Sequence, residues 1–149
     1  MFSGDDPTAP VGHHHILELE RCAAERLADP DAVSAAMRRA VERAGLTLLQ
    51  QAVHAFAPHG VTAVALLAES HLSVHTWPEH GYAAVDLFSC GDPRQAEAAC
   101  RDLAHALGAG KLALRVVRRG PSISGSDLDS ATNAREVRTG QSREHSNSE

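Results

Sequence analysis

Between residues 56 and 91 the chain gathers side chains from which covalent chemistry is built. Glu69-Ser70-His71 comes first, His75 follows five residues after the serine, and Cys90 comes later. A hydroxyl, an imidazole and a thiol that converge could serve as nucleophile, base and proton donor. Each also has a plain structural reading. A serine between strands commonly bonds nearby backbone, an outward strand histidine is usually solvated, and cysteine often behaves as a small buried hydrophobe. Spacing alone leaves both readings open.

The elements that must position these groups follow from periodicity. Ile16, Leu17 and Leu19 suit a first strand over residues 13–19. Asp29-Pro30-Asp31 offers a helix start, and Val33, Met37, Ala40, Val41 and Ala44 recur at helical spacing before Gly45. Strands are predicted over 46–57 and 61–68, separated by the turn Pro58-His59-Gly60. Over 72–77, His71, Ser73 and His75 alternate with Leu72 and Val74, and Tyr82 to Phe88 resumes as a further strand. Asp92 is the expected N-cap of a second helix with Pro93 at its first position. Its buried stripe is Ala96, Ala99, Cys100, Leu103 and Leu107; Gly108 and Gly110 end it, and 111–118 is the last strand. The pattern predicts an α+β two-layer sandwich, with a mainly antiparallel sheet carrying two helices on one face. A second copy of the chain is expected on the other face, because most soluble oligomers are symmetric homodimers.

At 149 residues the chain suits one domain. Residues 1–11 read as a flexible arm, 12–120 as the domain, and 121–149 as a disordered tail poor in groups to bury. Lys and Arg number 14 against 19 Asp and Glu, a net charge of -5 that argues against a nucleic-acid partner. No apolar run approaches the roughly 18 to 20 residues that span a bilayer. The polar start MFSGDDPTAP is unlike a signal peptide, so a cytoplasmic protein without a membrane partner is expected. Cys22, Cys90 and Cys100 show no CxxC spacing, which favours free thiols over a disulfide framework or a cysteine-rich zinc site. His13-His14-His15 could join His71 and His75 around a metal, since strand histidines two or four apart face the same way. Further ligands at zinc-like spacing are missing, and no metal is expected.

The string GVTAVALLAESHLSVHTWPEHGYAAVDLFSCG, residues 60–91, closely resembles the processing and active-site segment of prokaryotic S-adenosylmethionine decarboxylase proenzymes, the pyruvoyl enzymes of spermidine synthesis. It carries Glu-Ser-His, a histidine five residues after the serine, Trp-Pro-Glu, Gly-Tyr-Ala-Ala-x-Asp-x-Phe and Cys-Gly without a gap. Upstream, His14, Glu18 and Cys22 fit the family's first strand and Phe56-x-Pro-x-Gly its next turn, so the resemblance runs from about residue 12 to about 118.

The resemblance implies self-cleavage between Glu69 and Ser70 into chains 1–69 and 70–149, with Ser70 becoming a pyruvoyl group that forms a Schiff base with the substrate amine. No diffusible cofactor is then required. His75 matches the processing base, and its place on the same hairpin predicts an imidazole within reach of Ser70. Thr62 stands where many members carry serine, keeping the hydroxyl and adding a methyl. Cys90 matches the proton donor of the decarboxylation, and a thiol in ordinary surroundings holds its proton at neutral pH. Phe56 matches the aromatic that stacks on adenine, Glu79 the carboxylate that holds the ribose hydroxyls, Leu72 a backbone contact near the adenine, and Glu18 a carboxylate near the substrate's cationic end. The implied substrate is S-adenosyl-L-methionine, and the implied assembly is a dimer of α/β heterodimers. Two alternatives remain: a same-fold decarboxylase of arginine or ornithine, or an unprocessed regulatory paralogue.

Overall fold

The computed structural model describes residues 6–129 and 135–138. Seven strands form one sheet: β1 (Gly12–Glu20), β2 (Leu48–Ala55), β3 (Val61–Leu67), β4 (Ser70–Trp77), β5 (Tyr82–Ser89), β6 (Lys111–Arg119) and β7 (Arg135–Arg138). Their spatial order is β2-β3-β4-β5-β1-β6-β7, and every neighbouring pair is antiparallel. The helices are α1 (Ala24–Ala28), α2 (Pro30–Arg43), α3 (Pro93–Ala106) and α4 (Gly125–Asp129).

The two long helices form where the sequence supplies caps and an apolar stripe. Asp29 and Asp92 each accept a hydrogen bond from the amide two residues on, at 2.9 Å, with proline at the first helical position. Each helix is followed by a glycine with positive φ, Gly45 at 78° and Gly108 at 70°, a conformation glycine adopts without steric cost. Val33, Met37, Ala40 and Val41 of α2 and Ala99, Cys100 and Leu103 of α3 are buried. They join one core with Leu17, Leu19, Ala63, Leu72, Val74, Val85, Leu87 and Leu112 from the sheet. Fully burying a side chain such as Leu17 or Leu103 stabilises the fold by about 1.5–3 kcal/mol. This is the expected two-layer α+β sandwich.

Alternation sends the remaining strand residues to the face without helices. Three rungs cross it: Thr62, His75, Ala84 and Glu18; Val64, Ser73, Asp86 and Ile16; and Leu66, His71, Phe88 and His14. His14, Glu18, Thr62, His71, His75 and Asp86 therefore share one open face.

Three features depart from expectation. Helix α1 and the 3-10 turn at Pro78–His80 are too short to leave a periodic signal. Within the tail expected to lack order, α4 packs on β6, where the Arg115 guanidinium donates to the Leu128 carbonyl at 2.6 Å, and β7 pairs with residues 111–114. Backbone pairing on a sheet edge needs little apolar content, so composition does not register it. Residues 6–11 of the arm are tied down by the Val11 amide on the Arg119 carbonyl and the Ser122 hydroxyl on the Pro7 carbonyl. The rest of the arm and tail lies outside the described residues. Among the described residues no helix is long and apolar enough to cross a membrane.

Two expected outcomes follow from burial. The His15 ring is 1% exposed and its Nδ1 has no hydrogen-bond partner; desolvation, then the charge of His13, hold its pKa below the usual 6.5. The unfolded chain thus binds the proton more tightly, and stability is lost as pH falls below about 6.5. The urea midpoint should drop between pH 7 and pH 5, and His15→Leu should flatten that drop; an unchanged slope would exclude His15 as its source. Burial also pushes the thiols of Cys22 and Cys100 up to about 11 and about 12, whereas Cys90 is exposed. Iodoacetamide should label the native protein on Cys90 alone, as read by peptide mass, and equal labelling of Cys100 would contradict this placement.

Candidate active site

The functional side chains gather at the two ends of β4. At its start, Glu69 and Ser70 occupy the tight turn from β3. Ser70 has φ of 143°, a region that non-glycine residues rarely occupy. Such a backbone persists only where its surroundings impose it, at a cost of about 1–3 kcal/mol. Ser70 is paired with Leu67 on one side and Ser89 on the other. The Glu69 carbonyl accepts the Cys90 amide N–H at 2.9 Å, and the Glu69 carboxylate accepts the Thr47 amide through both oxygens at 3.2 Å. Gly91 leaves room for this: a Cβ there would lie 3.3 Å from Glu69 Cγ. The Ser70 hydroxyl meets His71 Nδ1 at 3.1 Å. A disfavoured backbone angle at Ser70, a hydroxyl on that residue and a hydrogen bond polarising the preceding carbonyl thus meet in one place, and the residue that supplies that bond carries an exposed thiol.

At the other end, the His75 ring bonds Thr62 Oγ1 through Nδ1 at 2.5 Å. The ring stands edge-to-face with Trp77 at 4.1 Å and tilted against Phe56 at 5.7 Å between centroids, and His54 meets Phe56 at 4.6 Å. Phe56 remains 45% exposed, leaving a π-face for a flat ligand. Glu79, in the turn after β4, pairs with His59 at 3.0 Å. Glu18 lies on the His75 rung and accepts the Tyr82 hydroxyl. Desolvation first, then that bond, push the Tyr82 phenol up to about 12, so it stays a donor.

The expected contact between Ser70 and His75 is not made within one chain. The residues are first and sixth on a straight strand, and five steps of about 3.3 Å separate them by roughly 16 Å. Sequence spacing suggested proximity because it does not reveal that β4 runs unbroken from 70 to 77. The structure groups Glu69, Ser70 and Cys90 at one end and Phe56, Thr62, His75 and Glu79 at the other, with Glu18 on the latter's rung. Leu72 joins neither: its side chain is 1% exposed in the core, and its backbone lies in the ladder between Ala65 and Leu87.

Sequence reading includes Asp86 in a motif without giving it a role; its carboxylate lies 3.3 Å from His14 Nε2 and 3.7 Å from His71 Nε2 and accepts the Ser73 hydroxyl at 2.7 Å. The available signal was a lone acid within the apolar run AAVDLF. His14 and His71 thus share a carboxylate, while the buried His15 faces the helices. Among the described residues no three His, Cys, Asp or Glu side chains are placed to hold a metal ion.

Comparison with known proteins shows the family. A family model described as S-adenosylmethionine decarboxylase matches residues 13–120. The chain is 53% identical over 109 residues to the S-adenosylmethionine decarboxylase proenzyme of Parasynechococcus marenigrum, covering 73% of this chain and 85% of that one. It is 39% identical over 115 residues to the proenzyme of the same description in Pseudomonas aeruginosa, covering 77% and 72%. The crystal structure of the adenosylmethionine decarboxylase from Aquifex aeolicus superposes with a TM-score of 0.72 at 35% identity, covering 78% of this chain and 96% of that chain. By the match over residues 13–120 and these identities, the chain belongs to the S-adenosylmethionine decarboxylase family.

Proposed function

We propose that the chain is a self-processing decarboxylase of S-adenosyl-L-methionine that makes its own pyruvoyl group from Ser70. The observation that carries this reading is the junction itself. Ser70 holds a disfavoured φ of 143° while the Cys90 amide polarises the adjoining Glu69 carbonyl at 2.9 Å. Attack of Ser70 Oγ on that carbonyl carbon turns the peptide bond into an ester and relieves the strain. The Cys90 N–H stabilises the negative oxygen that forms on the way, the task of an oxyanion-hole donor. Removal of the Ser70 Cα proton by an imidazole then expels the Glu69 carboxylate and leaves a dehydroalanine, which tautomerises to an imine; water adds to the imine carbon and ammonia departs, leaving the new N-terminal carbonyl. That carbonyl supplies an electron sink for loss of carbon dioxide from an amino acid.

The remaining side chains suit a nucleoside substrate. Phe56 offers an exposed ring, Glu79 a two-oxygen acceptor for a diol, and Glu18 a negative charge for a sulfonium or ammonium. An arginine or ornithine substrate would leave the Phe56 face without a partner. Cys90, whose thiol is exposed and whose amide bonds the Glu69 carbonyl, would return a proton to the substrate carbon, the role the resemblance implies. The product would be the aminopropyl donor for spermidine synthesis, as the resemblance implies.

The roughly 16 Å along β4 argues for two copies. A two-fold axis lying across the strands, between two open faces, sets the Ser70 end of each β4 opposite the His75 end of the other. Ile16, Leu66 and Phe56 stand exposed on that face, and burying them would favour the contact. His75 would then serve the serine of the second copy, with Thr62 orienting its ring.

Two outcomes are expected. Ser70→Ala should stay one chain of 149 residues and release no carbon dioxide from carboxyl-labelled S-adenosylmethionine; cleavage in that variant would remove Ser70 from the reaction. His75→Ala alone should also stay uncut. After co-refolding with Ser70→Ala, the His75→Ala chain should be cut and the Ser70→Ala chain should not, as read by intact mass. No cutting in the mixture would contradict a site shared between copies.

A further inference from the structure

We infer that His71, with Asp86 behind it, is the base for the first step of self-processing, taking the Ser70 hydroxyl proton and returning it to the departing nitrogen. This rests on the self-processing reading above. It separates the work of the two imidazoles: His71 makes the ester, and His75 of a second copy acts only afterwards.

Position is the first ground. The Ser70 hydroxyl bonds His71 Nδ1 at 3.1 Å, within hydrogen-bond range, whereas His75 of the same chain is roughly 16 Å away along the strand. A hydroxyl is a weak nucleophile until a neighbouring base shares its proton.

Orientation is the second. For Nδ1 to accept, the neutral ring must carry its proton on Nε2. Asp86 stands on that side, with Oδ1 3.7 Å from His71 Nε2. That distance is in the range of an ion pair, so the carboxylate attracts the Nε2–H and stabilises the imidazolium formed when Nδ1 takes the serine proton. Asp86 is itself fixed by the Ser73 hydroxyl at 2.7 Å and His14 at 3.3 Å. Phe88 lies between the two imidazoles, its centroid 6.0 Å from that of His71 and 5.9 Å from that of His14. The imidazole is thus braced by strands other than its own. Hydroxyl, imidazole and carboxylate stand in the order used by serine nucleophiles elsewhere, here aimed at the chain's own peptide bond.

The step balances without a co-reactant. The Oγ–H proton moves to His71 Nδ1 as Oγ bonds the Glu69 carbonyl carbon, and negative charge gathers on the oxygen held by the Cys90 amide. The carbon–nitrogen bond then breaks, and the same proton passes from Nδ1 to the Ser70 nitrogen. An amide has become an ester plus an amine.

The two imidazoles are told apart by what accumulates when each is lost. Freshly made His71→Ala and His71→Gln chains should be cut at least about 100-fold more slowly than the parent, within the usual range for a lost general base. Their uncut chain should resist neutral hydroxylamine, because the junction is still an amide. Uncut His75→Ala should be split by hydroxylamine at residue 69, because its ester has formed and waits. Added imidazole should speed cutting of His71→Ala, and Asp86→Asn should slow cutting with the same hydroxylamine resistance. A similar melting temperature for any one His71 variant establishes that its fold is intact, and Gln keeps a hydrogen-bonding side chain of similar reach should Ala not fold. Cutting of His71→Gln at the parent rate, or a hydroxylamine-labile His71→Ala chain, would overturn the assignment of His71. A parent chain that never cuts would instead overturn the self-processing reading.

Discussion

An extended strand advances about 3.3 Å per residue and cannot bend back on itself, and this governs how the present site is assembled. β4 begins at the Ser70 hydroxyl and reaches the His75 imidazole at its sixth residue. It is clamped by β3 and β5 along both edges, and no side-chain rotation closes the distance between the two groups. Each end of the strand consequently gathers its own group of side chains. The Glu69–Ser70 junction, the Cys90 residue and the His71–Asp86 pair lie at one end, and an aromatic cluster around His75 at the other.

The same sheet fixes the chemistry of its two faces. Residues 72, 74 and 76 of β4 enter the core beneath the helices, so 71, 73 and 75 must emerge opposite. A register shift of one residue would bury the imidazoles and expose the leucines. Helix packing and active-site placement are therefore one constraint, and the apolar stripes of α2 and α3 position the functional rungs without touching them. The junction draws on this rigidity. Ser70 keeps a disfavoured backbone angle because strand pairing, the Cys90 amide and the Thr47 amide hold the residues around it.

Much of this was legible in the sequence. Asp29-Pro30 and Asp92-Pro93 announced both long helices, and alternation in HLSVHTW announced which side chains of β4 share a face. The string around Glu69-Ser70 carried the family. What escaped was three-dimensional. The strain at Ser70 leaves no mark on residue type, and the span from Ser70 to His75 became a distance only once β4 proved unbroken. Asp86 gains its importance from partners on β1 and β4, far away in sequence. Beyond residue 120, β7 rests on backbone pairing at the edge of β6 and α4 on the Arg115 guanidinium, neither of which polar composition reveals.

The central claim is that the chain breaks and remakes its own backbone at one strained bond. It is tested most directly by the intact mass of the purified, fully matured protein. The account predicts two polypeptides, residues 1–69 with a free carboxylate and residues 70–149 lighter by one ammonia than a serine-started chain. A single uncut species, or a second fragment that retains its N-terminal amine, would contradict it.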